Sequence, residues 1–373
     1  MTEQQDRLRA FAQLAKIASS HGPLYFEPVC TDDPRWLSLL AASDNPPVGY
    51  APLHLRYQHA YFASAFADYA ALDSLIHWEG KPVGLWPLAF VGEAGKARLS
   101  SQINGLAGVI APWFSRHLPE KTTKAAARQW LALLGEAGEA LDVPSLRLLG
   151  PDTGINLPVW QRLAMEHGAQ AGATHRCVID LEMPAATYHG QLRKSYKALI
   201  NTARRLWQVR IDETGDAAAF AAFEGLHLTV AGRRTRPELT WQLQREAIVA
   251  GDAFVVYLHD AEQRLVGASL FNCSRSEVSY AVGVYDRQLF DKPLAHLSLA
   301  CAIEHARQRG ARSFLLGERP YPGDTPMPND KELQIAYFKE GFATGLERVP
   351  ALSIPPSALC GLVAGCTGGT ARS

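Results

Sequence analysis

The residues that could do chemistry cluster in the last third of the chain, and the first of them is the pair Phe338-Lys339 within KELQIAYFKEGFATG, Lys331 to Gly345. A lysine near a helix end has a plain use, complementing the negative pole of the helix. Held rigidly beside an aromatic ring, the same ammonium can face an anionic substrate or an oxyanion as it forms. Upstream, Tyr285, Asp286 and Arg287 follow the strand-like run SYAVGVY, and Glu318 and Arg319 end SFLLG. Tyr321 sits in the loop ERPYPGDTPMPN, stiffened by four prolines. Loops leaving strand ends gather ligand contacts on a fixed scaffold. A helix starting near Pro293 would turn its N-terminus to the same edge, which suits a substrate carrying phosphate or carboxylate.

Two further groups are cationic. Arg233, Arg234 and Arg236 lie between two predicted helices and suit a phosphate or a sugar acid, or else a solvated loop. In QLRKSYKALINTARRLWQVR, Gln191 to Arg210, the cations Arg193, Lys194, Lys197, Arg204 and Arg205 alternate with Leu192, Tyr196, Leu199, Ile200, Ala203 and Trp207. That spacing predicts one amphipathic helix whose polar face either meets solvent or contacts phosphates. His227 shares a helical face with Phe220, Phe223 and Val230, so it reads as a core histidine ahead of a catalytic base.

The elements that must position these groups can be read from the pattern. Asn329-Asp330 and Glu332 form a helix start with a capping box, Gly341 offers a left-handed stop, and Leu333, Ile335, Tyr337, Phe338 and Phe342 supply the apolar load. The plan of strand, hairpin, strand, helix, strand occurs twice. In the first half it follows a helix at Leu53–Tyr69 and uses Ser74–Trp78, the turn at Glu79-Gly80, Val83–Phe90, a helix Thr122–Leu141 and Leu146–Gly150. In the second half it uses Phe254–His259, Leu265–Asn272, a helix Leu294–Arg309 and Phe314–Gly317. Val83-Gly84 and Val266-Gly267 hold matching places. A repeat of this length fits duplicated domains.

Composition limits the function classes. At 373 residues and 47% apolar the chain can bury full cores, and its 37 basic residues equal its 37 acidic ones, so no global field points to nucleic acid or membrane. The six cysteines form no C-x-x-C pair, which predicts reduced thiols in a cytoplasmic protein and no zinc site. The N-terminal twenty residues lack the apolar core of a signal peptide, and no run is long enough for a membrane span. No Walker loop, H-E-x-x-H, G-x-S-x-G or G-x-G-x-x-G motif is present.

The ordered set KSYKALINTARR, LHLTVAGRRTRPELTW, LVGASLF, YAVGVYDRQLFDKPLAHL, LLG and KELQIAYFKEGF resembles the Fem-type branch of the GNAT superfamily, which includes peptidoglycan-bridge aminoacyltransferases. The resemblance covers Gln191 to Glu347 and, by plan alone, the first half. It implies an α+β fold of two tandem GNAT-like domains, each a mixed β-sheet flanked by helices, at residues 1–183 and 184–350; the small, glycine-rich and aperiodic end of the chain, within 351–373, reads as a poorly ordered tail. It implies an acyltransferase moving an acetyl, other acyl or aminoacyl group onto an amine of a sugar nucleotide or cell-envelope precursor. Phe338-Lys339 matches the family's phenylalanine-lysine pair, with Lys339 stabilising charge and Tyr285, Asp286 and Glu318 lining the acceptor side. Phe338, Arg233, Arg234, Arg236, Arg287, Arg319 and Tyr321 are the expected substrate contacts.

One departure bears on the donor. The glycine-rich pyrophosphate loop of CoA-using relatives would fall at Arg287 to Leu297, and RQLFDKPLAHL contains no glycine. The donor's phosphates are then expected on Arg193, Lys194, Lys197, Arg204 and Arg205, with aminoacyl-tRNA slightly ahead of acyl-CoA and no tightly bound cofactor. The competing expectation is a non-catalytic binding or assembly protein on the same scaffold.

Overall fold

β-Branched and aromatic runs broken by turn residues give strands, and the longer three-to-four-spaced apolar runs give helices. The computed structural model describes residues 24–93, 96–101, 107–115, 117–150, 156–324 and 326–362. The signal-peptide reading of the N-terminus and the glycine-rich end after residue 362 lie outside them. In chain order the strands are β1 (Leu24–Pro28), β2 (Asp68–Ala71), β3 (Ser74–Trp78), β4 (Lys81–Trp86), β5 (Ala89–Glu93), β6 (Lys96–Ser100), β7 (Val109–Ile110), β8 (Trp113–Phe114) and β9 (Leu146–Leu149). They continue as β10 (Gln170–Asp180), β11 (Gln208–Asp212), β12 (Ala253–His259), β13 (Leu265–Cys273), β14 (Glu277–Tyr285), β15 (Ser313–Glu318) and β16 (Gly345–Ile354).

The chain forms two units, and they do not divide it at one point. The first draws on Met1–Ser43, Ala65–Ala173 and Arg348–Ser373, the second on Asp44–Ser64 and Thr174–Glu347. The expected boundaries followed chain order, whereas two segments here are exchanged. Asp44–Ser64 belongs with the second unit because its polar groups are satisfied there. The Val48 amide donates to the Glu277 carboxylate at 2.9 Å, and His54 meets the Asn272 amide at 2.8 Å.

In the first unit β1-β3-β4-β8 form one antiparallel sheet and β2-β5-β6 another. The helix Glu120–Ala140 supplies the core through Trp130, whose ring meets Trp86 and Trp160 edge-on at 6.1 and 5.5 Å. The stretch read as a tail from residue 351 is ordered as far as it is described. Ala351–Ile354 pairs with β9, and Leu352, Ile354 and Leu359 are buried. Gly138 makes room for it, since a Cβ there would lie 2.6 Å from Pro356. Small residues at Gly135 and Gly138 let that return segment lie close on the helix, a tertiary fit that no local pattern advertises.

In the second unit the strand order is β11-β12-β13-β14-β15-β10, antiparallel except for the parallel pair β14–β15. Both faces are covered, so β12 reads as a continuous apolar run. Phe254, Val256 and Leu258 point to one face, with Leu297, Ile303, Phe314 and Phe342. Val255 and Tyr257 point to the other, with Phe220, Phe223 and Trp241 from the helices Ala217–Ala231 and Glu238–Val249.

The α+β class with sheet-and-helix units in both halves stands as expected, and the paired hairpins are present as β3–β4 and β12–β13. In the first half the return arm differs, splitting into β4 and β5, and the helix before it ends at Ala65 with β2 following. The basic segment also differs. It is two helices, Ala185–Gln191 and Lys194–Leu206, and Trp207 is extended at φ −124° and ψ 136°. The residues after it join the sheet edge, with Val209 opposite Leu258, because ladder bonds outweigh the helical period there. Arg210 therefore lies on β11, paired with Asp216 at 2.6 Å.

Candidate active site

Two neighbouring strands that run parallel and then part leave an opening between their C-terminal ends. β14 and β15 pair only from Glu277–Ser313 to Ser279–Leu315. Beyond Ser279, β14 is bent by a bulge, since Phe271 faces Tyr280 and Leu270 faces Val282, leaving Ala281 unopposed. The remaining residues, Tyr280 to Tyr285 on one side and Leu316 to Glu318 on the other, flank the gap.

The helix Asp330–Glu340 delivers Lys339 to this opening. The capping box forms as its sequence predicts, with Asn329 Oδ1 accepting from the Glu332 amide at 3.0 Å and Glu332 accepting from the Asn329 amide at 2.8 Å. Gly341, in contrast, is not a left-handed stop. Its backbone is right-handed at φ −66° and ψ −15°, and glycine is needed because a Cβ would overlap the Tyr196 ring. The apolar load is also redistributed. Ala336 and Phe342 are buried, Phe338 is half-buried, and Ile335 and Tyr337 are exposed.

Lys339 is half-buried, its Nζ 5.3 Å from the centre of the Tyr280 ring and 2.9 Å from where a Gly317 Cβ would stand. Gly317 has φ +109°, a conformation that L side chains rarely adopt. Burial pulls the ammonium below the ordinary lysine range, opposed by the fields of Cys177 and Glu318. Among the described residues no carboxylate is within ion-pair reach of Nζ, so its charge is directed at the opening. If that charge is needed for turnover, kcat should fall as pH rises through a value below the ordinary 10.5, because the group loses its proton early. A pH–rate profile flat to pH 10.5 would remove Lys339 from the charged role.

Under the ammonium lies a hydroxyl cluster. Tyr285 Oη and Ser269 Oγ are hydrogen-bonded at 2.6 Å, with the Tyr280 and Ser298 hydroxyls alongside. Burial raises both phenols, so they are neutral donors near pH 7. The packing depends on two glycines. A Cβ on Gly283 would overlap the Tyr280 hydroxyl, and one on Gly267 would lie 2.8 Å from the Tyr285 ring.

The predicted site residues divide into those that reach this opening and those that do not. Lys339, Glu318 and Tyr285 are at it, and Phe338 stands behind in an aromatic group with Tyr196, His296 and Phe342. Asp286 accepts from the Gln288 amide at 3.0 Å and caps a short turn, while Arg287 is exposed on that turn. Arg319 is engaged by Glu340 at 2.6 Å and lies over Tyr321, so the pair ties the end of β15 to the helix behind it. Arg193 likewise clamps two helices, donating to the Tyr196 hydroxyl at 3.0 Å and the Tyr337 carbonyl at 2.9 Å. Lys194, Lys197 and Arg204, spaced to share a helical stripe, are exposed, as is Arg205.

Arg233, Arg234 and Arg236 are elsewhere, beside the helices on the other sheet face. Arg236 lies 4.8 Å over Trp241, Arg234 is 3.7 Å from Glu224, and Arg233 is exposed. His227 is half-buried with its ring against Trp241 at 5.1 Å. Three residues of the opening and its backing escaped the sequence reading, Tyr280, Gly283 and His296, and Gly317 was read only as the end of a strand. His296 is held neutral, its pKa lowered to about 4 by burial and then by the Arg193 charge. The readable signal for Tyr280 and Gly283 was a glycine between two tyrosines in the strand-like run SYAVGVY.

Residues 190–326 match the family model described as Acetyltransferase (GNAT) domain. No curated protein matches the chain. Among solved structures, FemX covers 87% of this chain and 96% of its own length with a TM-score of 0.57 at 11% identity. L-PGS from Bacillus licheniformis covers 86% and 91% with a TM-score of 0.55 at 12% identity. A conserved protein of unknown function from Bacteroides thetaiotaomicron covers 88% and 99% with a TM-score of 0.54 at 11% identity. At these identities the likeness is one of fold, and it extends well beyond residues 190–326. Among the described residues no helix is long and apolar enough to cross a membrane.

Proposed function

We propose, from the match of residues 190–326 to the GNAT acetyltransferase domain model, that the β14–β15 opening is the reaction site of an N-acyltransferase. It moves an acyl or aminoacyl group to an amine of a sugar nucleotide or cell-envelope precursor. The supporting observation is Lys339, a partly desolvated ammonium over the Tyr280 ring, with no ion pair among the described residues, at the mouth of two diverging parallel strands. In the reaction the amine nitrogen bonds to the donor carbonyl, and the C–S or C–O bond to the donor breaks. A tetrahedral oxyanion lies between the two states. Lys339 stabilises it in a site of low local dielectric, where one fixed donor contributes about 3 kcal/mol.

The unpaired edges of β14 and β15 suit an extended amide-bearing donor arm, which adds to them as a short strand would. Glu318, on the acceptor side, takes the amine proton, and the departing donor sulfur or oxygen takes up a proton as it leaves, so that the products are the amide and the free thiol or alcohol. The Tyr285 and Tyr280 hydroxyls stay protonated and orient the acceptor. Binding and orienting two substrates in line supplies several kcal/mol more.

The donor's phosphates are held by side-chain cations, with Lys194, Lys197, Arg204 and Arg205 as the contacts. That arrangement fits aminoacyl-tRNA at least as well as acyl-CoA. If so, affinity for the donor falls steeply with added salt, and replacing Arg204 and Arg205 together with alanine flattens the slope of log K against log salt by about one to two units. Acetyl-CoA and charged tRNA offered in parallel, with transfer to a panel of amino sugars and envelope precursors followed by mass spectrometry, test the whole reading. Transfer from neither donor in a folded protein would overturn it. Tight acetyl-CoA binding that ignores salt and the double substitution would return the donor to CoA held by backbone.

A further inference from the structure

A second feature of this unit lies away from the Lys339 opening. A cavity of about 250 Å³ is lined by Glu224, Gly225, His227, Leu228, Arg234 and Trp241, together with Ala221 and Thr235. It sits on the face of the sheet where Val282 and Val284 pack against Phe220, Phe223 and Trp241. Tyr280 and Tyr285 pack on the opposite face.

The polar side chains of the lining are reachable from solvent and only loosely engaged with one another. Glu224 and His227 share a face of the helix Ala217–Ala231, three residues apart. Arg234 reaches Glu224 only at 3.7 Å and Glu238 at 3.9 Å, beyond hydrogen-bond length. Among the described residues no side-chain hydrogen bond is made by any of the three. The His227 pKa is lowered by burial and by the charge of Arg236, so the ring is neutral and offers one donor and one acceptor. Arg236 is not part of the lining. Its guanidinium covers Trp241 and donates to the Tyr57 hydroxyl at 3.1 Å, which fixes the indole that closes the cavity floor.

We propose that this cavity binds a small hydroxylated carboxylate of about the size of a hexuronic acid. Its volume corresponds to roughly eight waters, enough for one sugar ring and too little for a nucleotide. Arg234 pairs with the ligand carboxylate by a two-pronged contact. Glu224 accepts from ring hydroxyls, His227 donates to or accepts from another, and the C–H face of the ring lies on Trp241 and Leu228. A phosphate fits less well, because its second charge would stand against Glu224 beside the single lining arginine. The positive loop Arg233 to Arg236 draws an anion toward the mouth.

Binding is read without turnover, so the site is tested separately from the transfer reaction. The full-length protein is titrated calorimetrically with D-glucuronate, D-glucose and inorganic phosphate. Saturable one-site binding of glucuronate is expected, with glucose and phosphate each at least tenfold weaker. Arg234→Ala weakens glucuronate at least tenfold and Glu224→Gln several-fold. Gly225→Leu provides the variant that cannot be explained by misfolding. A Cβ at Gly225 meets nothing within 4 Å, and leucine favours a helix more than glycine does, so the side chain grows into the cavity of a folded protein and abolishes binding. Lys339→Met binds glucuronate like the unaltered chain. Absence of saturable glucuronate binding, unchanged binding in both Gly225→Leu and Arg234→Ala, or phosphate binding tighter than glucuronate would overturn the proposal.

Discussion

Lys339→Met is expected to lower kcat on the order of a hundredfold while leaving the melting temperature at pH 7 unchanged or raised. The two effects separate because they have different physical origins. Losing a cation that meets charge only in the transition state removes stabilisation of the barrier. The methionine keeps most of the packing of the lysine stem and gives up only the weak attraction of the ammonium for the Tyr280 ring 5.3 Å away.

The sign of the stability effect follows from the lowered pKa. A lysine whose folded pKa lies below its unfolded value binds fewer protons in the folded state. Its contribution is therefore unfavourable at pH values below the folded pKa, and it is relieved as pH rises from the folded toward the unfolded pKa. Deleting that charge at pH 7 removes the unfavourable term. Steady-state kinetics and thermal denaturation of the same preparation check both halves. Unaltered kcat in a folded Lys339→Met protein would leave the lysine as a helix-end charge and nothing more.

Gly317→Ala is the second large effect, and here both quantities move. At φ +109° an alanine is strained whatever the space around it, at a cost on the order of 1–3 kcal/mol. The new Cβ would also stand 2.9 Å from Lys339 Nζ. The far end of a lysine yields more easily than a strand does, so the ammonium is displaced from the opening. A shift of about 1 Å in a reacting group can cost up to a hundredfold in rate, and a fall in kcat of tenfold or more is expected. Gly323→Ala is the control in the following loop, where a Cβ meets nothing within 4 Å. If Gly317→Ala turned over like Gly323→Ala, Lys339 would not be acting from the position described.

The chain's own pattern determined the capped helix that carries Lys339, the two matched hairpins and the buried strand ending in Gly317. All are local signals: a capping box, a turn between apolar arms, a short β-rich run bounded by loops. The same local reading misassigned Gly341, because an αL stop and a close ring contact both ask for glycine and only the position of Tyr196 distinguishes them. It extended the basic helix through Trp207, because pairing of Val209 with Leu258 joins residues far apart in sequence.

The tertiary structure alone decided which charges are available. Arg193 and Arg319 resemble the other cations in sequence, yet one is engaged by carbonyl and hydroxyl and the other by Glu340. Arg236 holds an indole, whereas Arg234 is exposed, only loosely paired with Glu224 and Glu238, and lines a cavity. The gap between β14 and β15 is likewise a property of register, set by where parallel pairing stops. An amino-acid sequence states which side chains carry charge. Whether that charge is spent on a neighbour or presented to a ligand depends on distances of a few ångströms between residues far apart in the chain, 229 positions for Val48 and Glu277, and only folding fixes those.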